Sequence, residues 1–313
     1  MNYLKDYREG EKFVGTYLCK QKQILKTKAG KTYYSLTLQD KTGTADGKIW
    51  ELNNGIANFE PMDYIHCEGM VTSFQGNLQM NISRVRISDE GEYDPTDYVP
   101  CTNKDVGEMF SRILKYVASV QNKYLRKILE MYFVENKEFV DAFKKHSAAK
   151  SVHHGFMGGL LEHTLSILKM CEYYVSAYEI LNRDLLYTAA IFHDIGKIKE
   201  LSSFPENDYT DDGQLLGHIV IGVEMIGEGV RTIDGFPQKL ASELKHCVIA
   251  HHGELEYGSP KKPALAEAVA LHYADATDAK MQTLTEIFKE KEGNKDWLGY
   301  SRLFESNLRR SSI

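Results

Sequence analysis

The feature that most constrains this chain is a change of hydrophobic period. From about Lys12 to Ile87 apolar and polar residues alternate in short runs, whereas beyond Asn103 apolar residues recur every three or four positions. Period two sends successive side chains to opposite faces of a strand, and period 3.6 draws a stripe along a helix. The chain therefore reads as multidomain α and β, with its strands and its helices in separate parts. In Thr32 to Leu38, Tyr34, Leu36 and Leu38 share one face while Tyr33, Ser35 and Thr37 share the other. Similar runs at 13–19, 44–50, 64–74 and 78–87, separated by turn residues, predict five strands and hence a small barrel. The alternation slips phase between Ile82 and Val85, which predicts a bulge near Ser83.

The stretch from Asp89 to Asn103 is acidic, carries Pro95 and Pro100, and reads as a linker. After it, Val106, Phe110, Ile113, Leu114 and Val117 form one apolar stripe. Further helices are expected over roughly 123–145, 159–181, 184–194, 214–231, 237–251 and 263–281, with another near the C-terminus. The expected organisation is a barrel over 1–90, a linker over 91–103 and an all-α helical bundle over 104–313.

At 313 residues, 42% hydrophobic and 26% charged, the chain can bury real cores, which excludes a disordered or collagen-like protein. No apolar run approaches the roughly 18 residues of a membrane helix, and the opening MNYLKDYREGEKF is too charged for a signal peptide, so the expected location is cytoplasmic. The five cysteines are an odd number without a CxxC pair, and are expected to be reduced and inert.

Histidine is the informative residue, because ten of the eleven lie between His146 and His272. Candidate ligands in this half are His163, His193 with Asp194, His218, His251 with His252, and Asp275, in groups 24 to 33 residues apart. Each interval allows a helix and a return, so side chains from successive helices can converge inside a bundle, where such proteins build metal sites. Imidazole and carboxylate without thiolate favour manganese, iron, zinc or magnesium over soft metals. Adjacent residues point about 100° apart on a helix, so His193 and Asp194 grip one ion together only if it sits between them. A carboxylate of Asp194 bridging two ions resolves this, and two-ion sites of that kind hydrolyse phosphate esters. Lys197 offers a point charge for phosphate, and His153 and His154 are further candidates for phosphate contact. His246, His272 and Asp278 fit neither the order nor the spacing and are expected to be structural.

The order His, HisAsp, His, HisHis, Asp resembles the HD-domain superfamily of metal-dependent phosphohydrolases, over a core of roughly 146–281. The resemblance implies that His163, His193, Asp194 and Asp275 hold one metal. It likewise implies that His218, with His251 or His252, corresponds to the extra histidines of two-metal members.

Between Lys12 and Trp50 stand eight lysines and two acidic residues, a local charge of +6 in a chain of net charge −6. This part resembles an OB-fold nucleic-acid-binding domain, in which a basic groove and aromatic platforms hold a strand. Tyr33, Lys48, Trp50 and Phe74 are the candidate contacts. Barrel followed by HD domain, with the segments SVHHGFMGGLLEHT and AIFHDIGK, is similar to the YhaM family of 3′-to-5′ exoribonucleases. That resemblance implies a 3′-to-5′ nuclease acting on single-stranded RNA, and the basic barrel leaves single-stranded DNA open as a further substrate. It also implies a preference for manganese among the divalent ions, ahead of iron, cobalt, magnesium and zinc; two ions are expected, with Asp194 as the catalytic ligand and Lys197 and His153, read from their charge and position, as the further catalytic candidates. The rivals are an HD phosphohydrolase of nucleotides or cyclic dinucleotides, which leaves the basic barrel without a task, and a non-catalytic nucleic-acid-binding adaptor. The adaptor has no reason to bury so many polar residues.

Overall fold

The computed structural model describes residues 3–150, 154–291, 293 and 296–312. Two compact units emerge, one comprising Met1–Cys101 with Ser203–Asn207 and the other Thr102–Ser202 with Asp208–Ile313.

The first unit is built on β1 (Lys12–Lys26), β2 (Thr32–Asp40), β3 (Gly43–Ile49), β4 (Tyr64–Phe74) and β5 (Asn77–Ile87). They close into a barrel in the order β1-β2-β3-β5-β4, the five-stranded topology of an OB fold. Its β3–β5 pair is parallel, with Lys48 beside Asn81, and β1 closes antiparallel on β4. Inward alternation buries Phe13, Tyr17, Leu36, Leu38, Ile49, Ile65, Val71, Met80 and Val85, each worth about 1.5–3 kcal/mol of transfer free energy. The expected bulge is present: Glu68 pairs with Arg84 and Gly69 with Ile82, so Ser83 is the extra residue and Val85 returns to the core. The proline-containing stretch read as a linker lies against this barrel for much of its length. Tyr93 stacks on Tyr64 at 4.0 Å between centroids, Tyr98 is buried, and Lys41 pairs with Asp97 at 2.7 Å. The two tyrosines supply the apolar surface that a free linker lacks.

The second unit is a helical bundle. In chain order it comprises α1 (Val106–Ser119), α2 (Lys123–Glu130), α3 (Lys137–Lys145), α4 (Gly159–Ala177), α5 (Arg183–Phe192), α6 (Lys197–Glu200), α7 (Asp211–Leu215), α8 (Gly217–Thr232), α9 (Gln238–Ile249) and α10 (Ala266–Glu290). The single helix expected over 123–145 is two, joined by a π turn at Met131–Glu135. Asn136 ends the first run by capping Phe139 N of the next, while Phe133 packs against Phe139, Phe143 and Phe192. α5 is buried from Leu185 to Phe192 and α4 over its first two turns, which places the ligand-bearing ends of both helices in the interior. The helix expected near the C-terminus is instead a hairpin of β6 (Trp297–Ser301) and β7 (Ser306–Arg309), its alternation too short to read against the long polar helix before it. Among the described residues no helix is long and apolar enough to cross a membrane.

Candidate metal centre

His163 lies in the second turn of α4. α5 ends at Phe192, so His193 is its C-cap and Asp194 stands in the following turn, not on a helix. This corrects the 100° argument: the turn frees Asp194 to swing toward its neighbour, and its Oδ2 lies 3.3 Å from His193 Nε2. His218 is the second residue of α8, His251 and His252 follow the end of α9, and Asp275 projects from α10. Two glycines permit the close approach. A Cβ on Gly196 would stand 2.0 Å from the His218 carbonyl oxygen, and one on Gly159 2.0 Å from that of His154. Only hydrogen fits at either place.

The side chains converge in two groups that share Asp194. Toward its Oδ2, His163 Nε2 is 3.4 Å away, and that same nitrogen is 3.2 Å from Asp275 Oδ1 and 3.3 Å from His193 Nε2. Toward its Oδ1 stand His218 Nε2 at 3.6 Å and His251 Nε2 at 3.8 Å. The His252 ring completes the second group, 4.3 Å from His251 and 5.2 Å from His218 between centroids. The ligand atoms of His163, His193 and Asp275, and separately those of His218, His251 and His252, lie within 4.8 Å of one another.

Every imidazole is held by its other nitrogen. Nδ1 donates to the Ala190 carbonyl from His193 (2.8 Å), to Val248 from His251 (2.6 Å) and to Tyr257 from His252 (2.9 Å). It donates to Asp278 Oδ2 from His163 (2.7 Å) and to Glu200 Oε1 from His218 (2.9 Å). Such bonds leave Nε2 as the nitrogen that faces inward, the arrangement usual behind metal-bound histidine. Among the described residues three of the inward atoms then have nothing to bond: Asp194 Oδ1, His218 Nε2 and His251 Nε2 are buried without a hydrogen-bond partner there. Buried acceptors facing one another cost about 1–3 kcal/mol each, and a divalent cation is the species that satisfies them together. The residues present therefore fit a divalent metal.

Electrostatics agree. Burial disfavours ionised Asp194, yet Lys197 and the histidines outweigh it and hold its carboxyl well below the usual range. Burial pushes His251 well below, and His252 below, the ordinary imidazole value, so both present neutral lone pairs. Burial also opposes a charge on His163, but Asp194, Asp275 and Asp278 overcome it and raise its pKa well above that value. The carboxylates thus draw positive charge into the pocket.

These contacts bring together His163, His193, Asp194, His218, His251, His252 and Asp275. Lys197 faces the same cleft, partly buried, with its Nζ 2.8 Å from Asp194 Oδ2. His153 lies outside the described residues. His154 is not at a mouth where it could meet phosphate; it is buried, with Nε2 2.9 Å from Asp278 Oδ2. Asp278, expected to be merely structural, is the residue that aims His163. Its signal was its position three residues after Asp275, on the same face of α10. Glu200 had no signal of that kind. His246 and His272 bond backbone, at Ala264 N and His251 O.

In the barrel unit Tyr33 and Trp50 stack at 4.6 Å, and Trp50, 40% exposed, donates to Asn81 Oδ1 at 3.0 Å. Lys48 shares their face, with Nζ bonded to Asp46 Oδ1 at 2.5 Å and to Ser35 Oγ at 2.7 Å. Phe74 is exposed at the end of β4, beside a separate hollow lined by Lys5, Thr44 and Asp46.

The HD-domain family matches residues 160–280, a span that encloses every ligand atom above. Over 257 residues the chain is 35% identical to the 3′-5′ exoribonuclease YhaM of Geobacillus sp. (strain WCH70), covering 82% of this chain and 78% of that one. The chain belongs to the YhaM family. It is 33% identical over 297 residues to the YhaM protein of Listeria innocua serovar 6a, covering 91% of both chains. Like its YhaM relatives it is an enzyme, with the HD domain of a metal-dependent phosphohydrolase. Among solved structures, the second OB-fold domain of replication protein A from Methanococcus maripaludis aligns with 30% of the chain and all of that domain, at 19% identity and a TM-score of 0.24.

Proposed function

We propose that this YhaM-family chain is a 3′-to-5′ exoribonuclease whose helical unit hydrolyses single strands with two divalent ions while the barrel unit retains the strand. The observation that carries the reading is Asp194, whose two oxygens face two separate groups of inward nitrogens, at 3.3 to 3.4 Å and at 3.6 to 3.8 Å. In this reading His163, His193, Asp194 and Asp275 hold one ion, and Asp194, His218, His251 and His252 hold the other. Imidazole and carboxylate donors suit manganese, with iron, cobalt, magnesium and zinc as substitutes. Bound there, a pair of such ions supplies a nucleophilic hydroxide at neutral pH and stabilises the leaving oxygen.

The chain's own groups do the rest. Asp278 and Glu200 fix the imidazoles so that little reorganisation is needed when charge develops. Lys197, whose ammonium Asp194 keeps protonated against the cost of burial, stands ready to neutralise a phosphoryl oxygen. His153, in the segment preceding Gly158, is assigned the same task. In the barrel unit Tyr33 and Trp50 serve as a stacking platform with Lys48 beside it, and Phe74 offers a further ring at the end of β4. Stacking and phosphate contact do not require a 2′-hydroxyl, so single-stranded DNA is a second substrate. The five free cysteines fit a reducing compartment such as the cytoplasm.

The test is a 5′-labelled oligoribonucleotide incubated with the protein and Mn²⁺. The expected result is a ladder shortening from the 3′ end with release of nucleoside monophosphates. Immediate release of the 5′ label overturns the polarity, and consumption of free nucleotides with the strand intact returns the rival phosphohydrolase.

A further inference from the structure

The metal centre opens into a cleft of about 800 Å³, and only part of its wall belongs to the ligand set. The rest includes Tyr257, Tyr273, Lys280 and Arg302. Tyr257 is 70% exposed and Tyr273 59%, although large aromatic surfaces are ordinarily covered. Lys280 and Arg302 are also exposed, and neither side chain has a hydrogen-bond or ion-pair partner among the described residues. Elsewhere in this unit Arg126, Lys127, Lys145 and Lys262 each lie 2.6 to 2.9 Å from a carboxylate. Two unpaired cations in a cleft that also holds Asp194 and Asp275 are thus disposed to receive an anion.

All four side chains sit on elements tied to the ligands. Tyr273 and Lys280 lie on α10 with Asp275, Tyr273 about half a helical turn before it and Lys280 about a turn and a half after it. Tyr257 belongs to the turn whose carbonyl accepts from His252 Nδ1 at 2.9 Å. Arg302 heads the turn between β6 and β7. That hairpin is braced on α10: Arg310 donates to the Phe288 carbonyl and lies 4.8 Å over the Phe288 ring, Lys291 donates to the Leu298 carbonyl, and Leu298 is buried.

Aromatic faces accept any base by stacking, and cations spaced beyond the ligand set meet phosphates other than the one being cut. A mononucleotide offers one base and one phosphate group, too little to engage two tyrosines and two cations besides the metal centre. We propose that Tyr257, Tyr273, Lys280 and Arg302 form a subsite for the terminal nucleotides of a single strand. Lys280 and Arg302 take the phosphates flanking the scissile one, and the tyrosines take the bases. This rests on the nuclease reading above and adds to it the groups that receive the strand in the helical unit.

The test uses the full chain with Mn²⁺, a 5′-labelled hexaribonucleotide and, as a substrate without flanking phosphates, bis-p-nitrophenyl phosphate. The double variant Lys280→Ala/Arg302→Ala raises KM for the hexanucleotide roughly tenfold or more while kcat changes far less, and its loss on the small diester is much the smaller. In EDTA, the dependence of log binding affinity on log salt becomes shallower by about 1.4, or 0.7 for each of two lost phosphate contacts. Tyr273→Phe keeps the wild-type KM, whereas Tyr273→Ala raises it. Equal losses on the two substrates, or an unchanged KM and salt slope in a wild-type background that degrades the hexanucleotide, overturn the subsite alone. A wild-type protein that cleaves the small diester and leaves the hexanucleotide intact overturns the nuclease reading and the subsite with it.

Discussion

The metal centre and the exposed face of the barrel are specified in different ways. In the helical unit five imidazoles each have Nδ1 fixed by an oxygen acceptor and Nε2 turned inward, and three inward acceptors find no partner among the described residues. On the barrel, Tyr33 and Trp50 lean on each other, and the best-placed cation, Lys48, is occupied by Asp46. A site that holds ions must bury polar atoms, and burial without a partner is costly enough to demand particular residues. A surface that retains a strand needs only flat rings and positive charge, which many sequences supply. Substitutions should therefore act sharply in one region and gradually in the other.

The largest effect is expected at Asp194. Asp194→Asn keeps the shape but removes the charge between the two ligand groups, and kcat/KM on RNA should fall about a thousandfold or more, a loss of roughly 4 kcal/mol. Circular dichroism should show the chain still folded. A loss under tenfold would break the contrast, because the metal centre would then be as tolerant as a surface. Next are the residues that aim the histidines: Asp278→Asn and Glu200→Gln should each cost about 10- to 100-fold in metal affinity or activity, measured by titrating activity with Mn²⁺. An unchanged Mn²⁺ requirement would show that tautomer fixing contributes nothing here.

On the barrel, Trp50→Ala should weaken single-strand binding by about 1–3 kcal/mol, or roughly 5- to 150-fold, by fluorescence anisotropy, and Tyr33→Ala should follow it closely because the rings stack. Unchanged affinity in both would assign that face to packing or to another partner. The smallest effect is expected at His246, which lies in the histidine-rich half but only accepts a hydrogen bond from Ala264 N at 2.9 Å. His246→Ala should lower stability by about 1 kcal/mol in urea denaturation and leave activity within a factor of two. An effect comparable to that of Asp194→Asn would mean that the ligand set is wrong.

The same contrast explains what was legible in the sequence. Barrel strands and buried helices follow from periodicity, since the period is the burial pattern itself; even the bulge at Ser83 shows as a phase slip. The C-terminal hairpin was illegible because two short, largely exposed strands bury too little to impose a period. The ligands were legible through residue type and order. Their supports were not, because a carboxylate that aims an imidazole is indistinguishable in sequence from a solvated one: Asp278 falls outside the order and spacing of the ligands, and Glu200 sits in an ordinary-looking LysIleLysGlu. Periodicity carries the helix through the dyad because Arg183 to Phe192 is helical, whereas the helix end at Phe192 depends on how the turn His193–Gly196 meets α8, a tertiary contact.

Whether Asp194 would serve in the ligand sets of two ions is tested most directly by counting metal. The full-length protein loaded with Mn²⁺ and freed of excess should retain about two ions per chain by elemental analysis. His218→Ala should retain about one, and Asp194→Asn fewer than the wild type under the same conditions. One ion per chain in the wild type, unchanged in His218→Ala, would contradict the account.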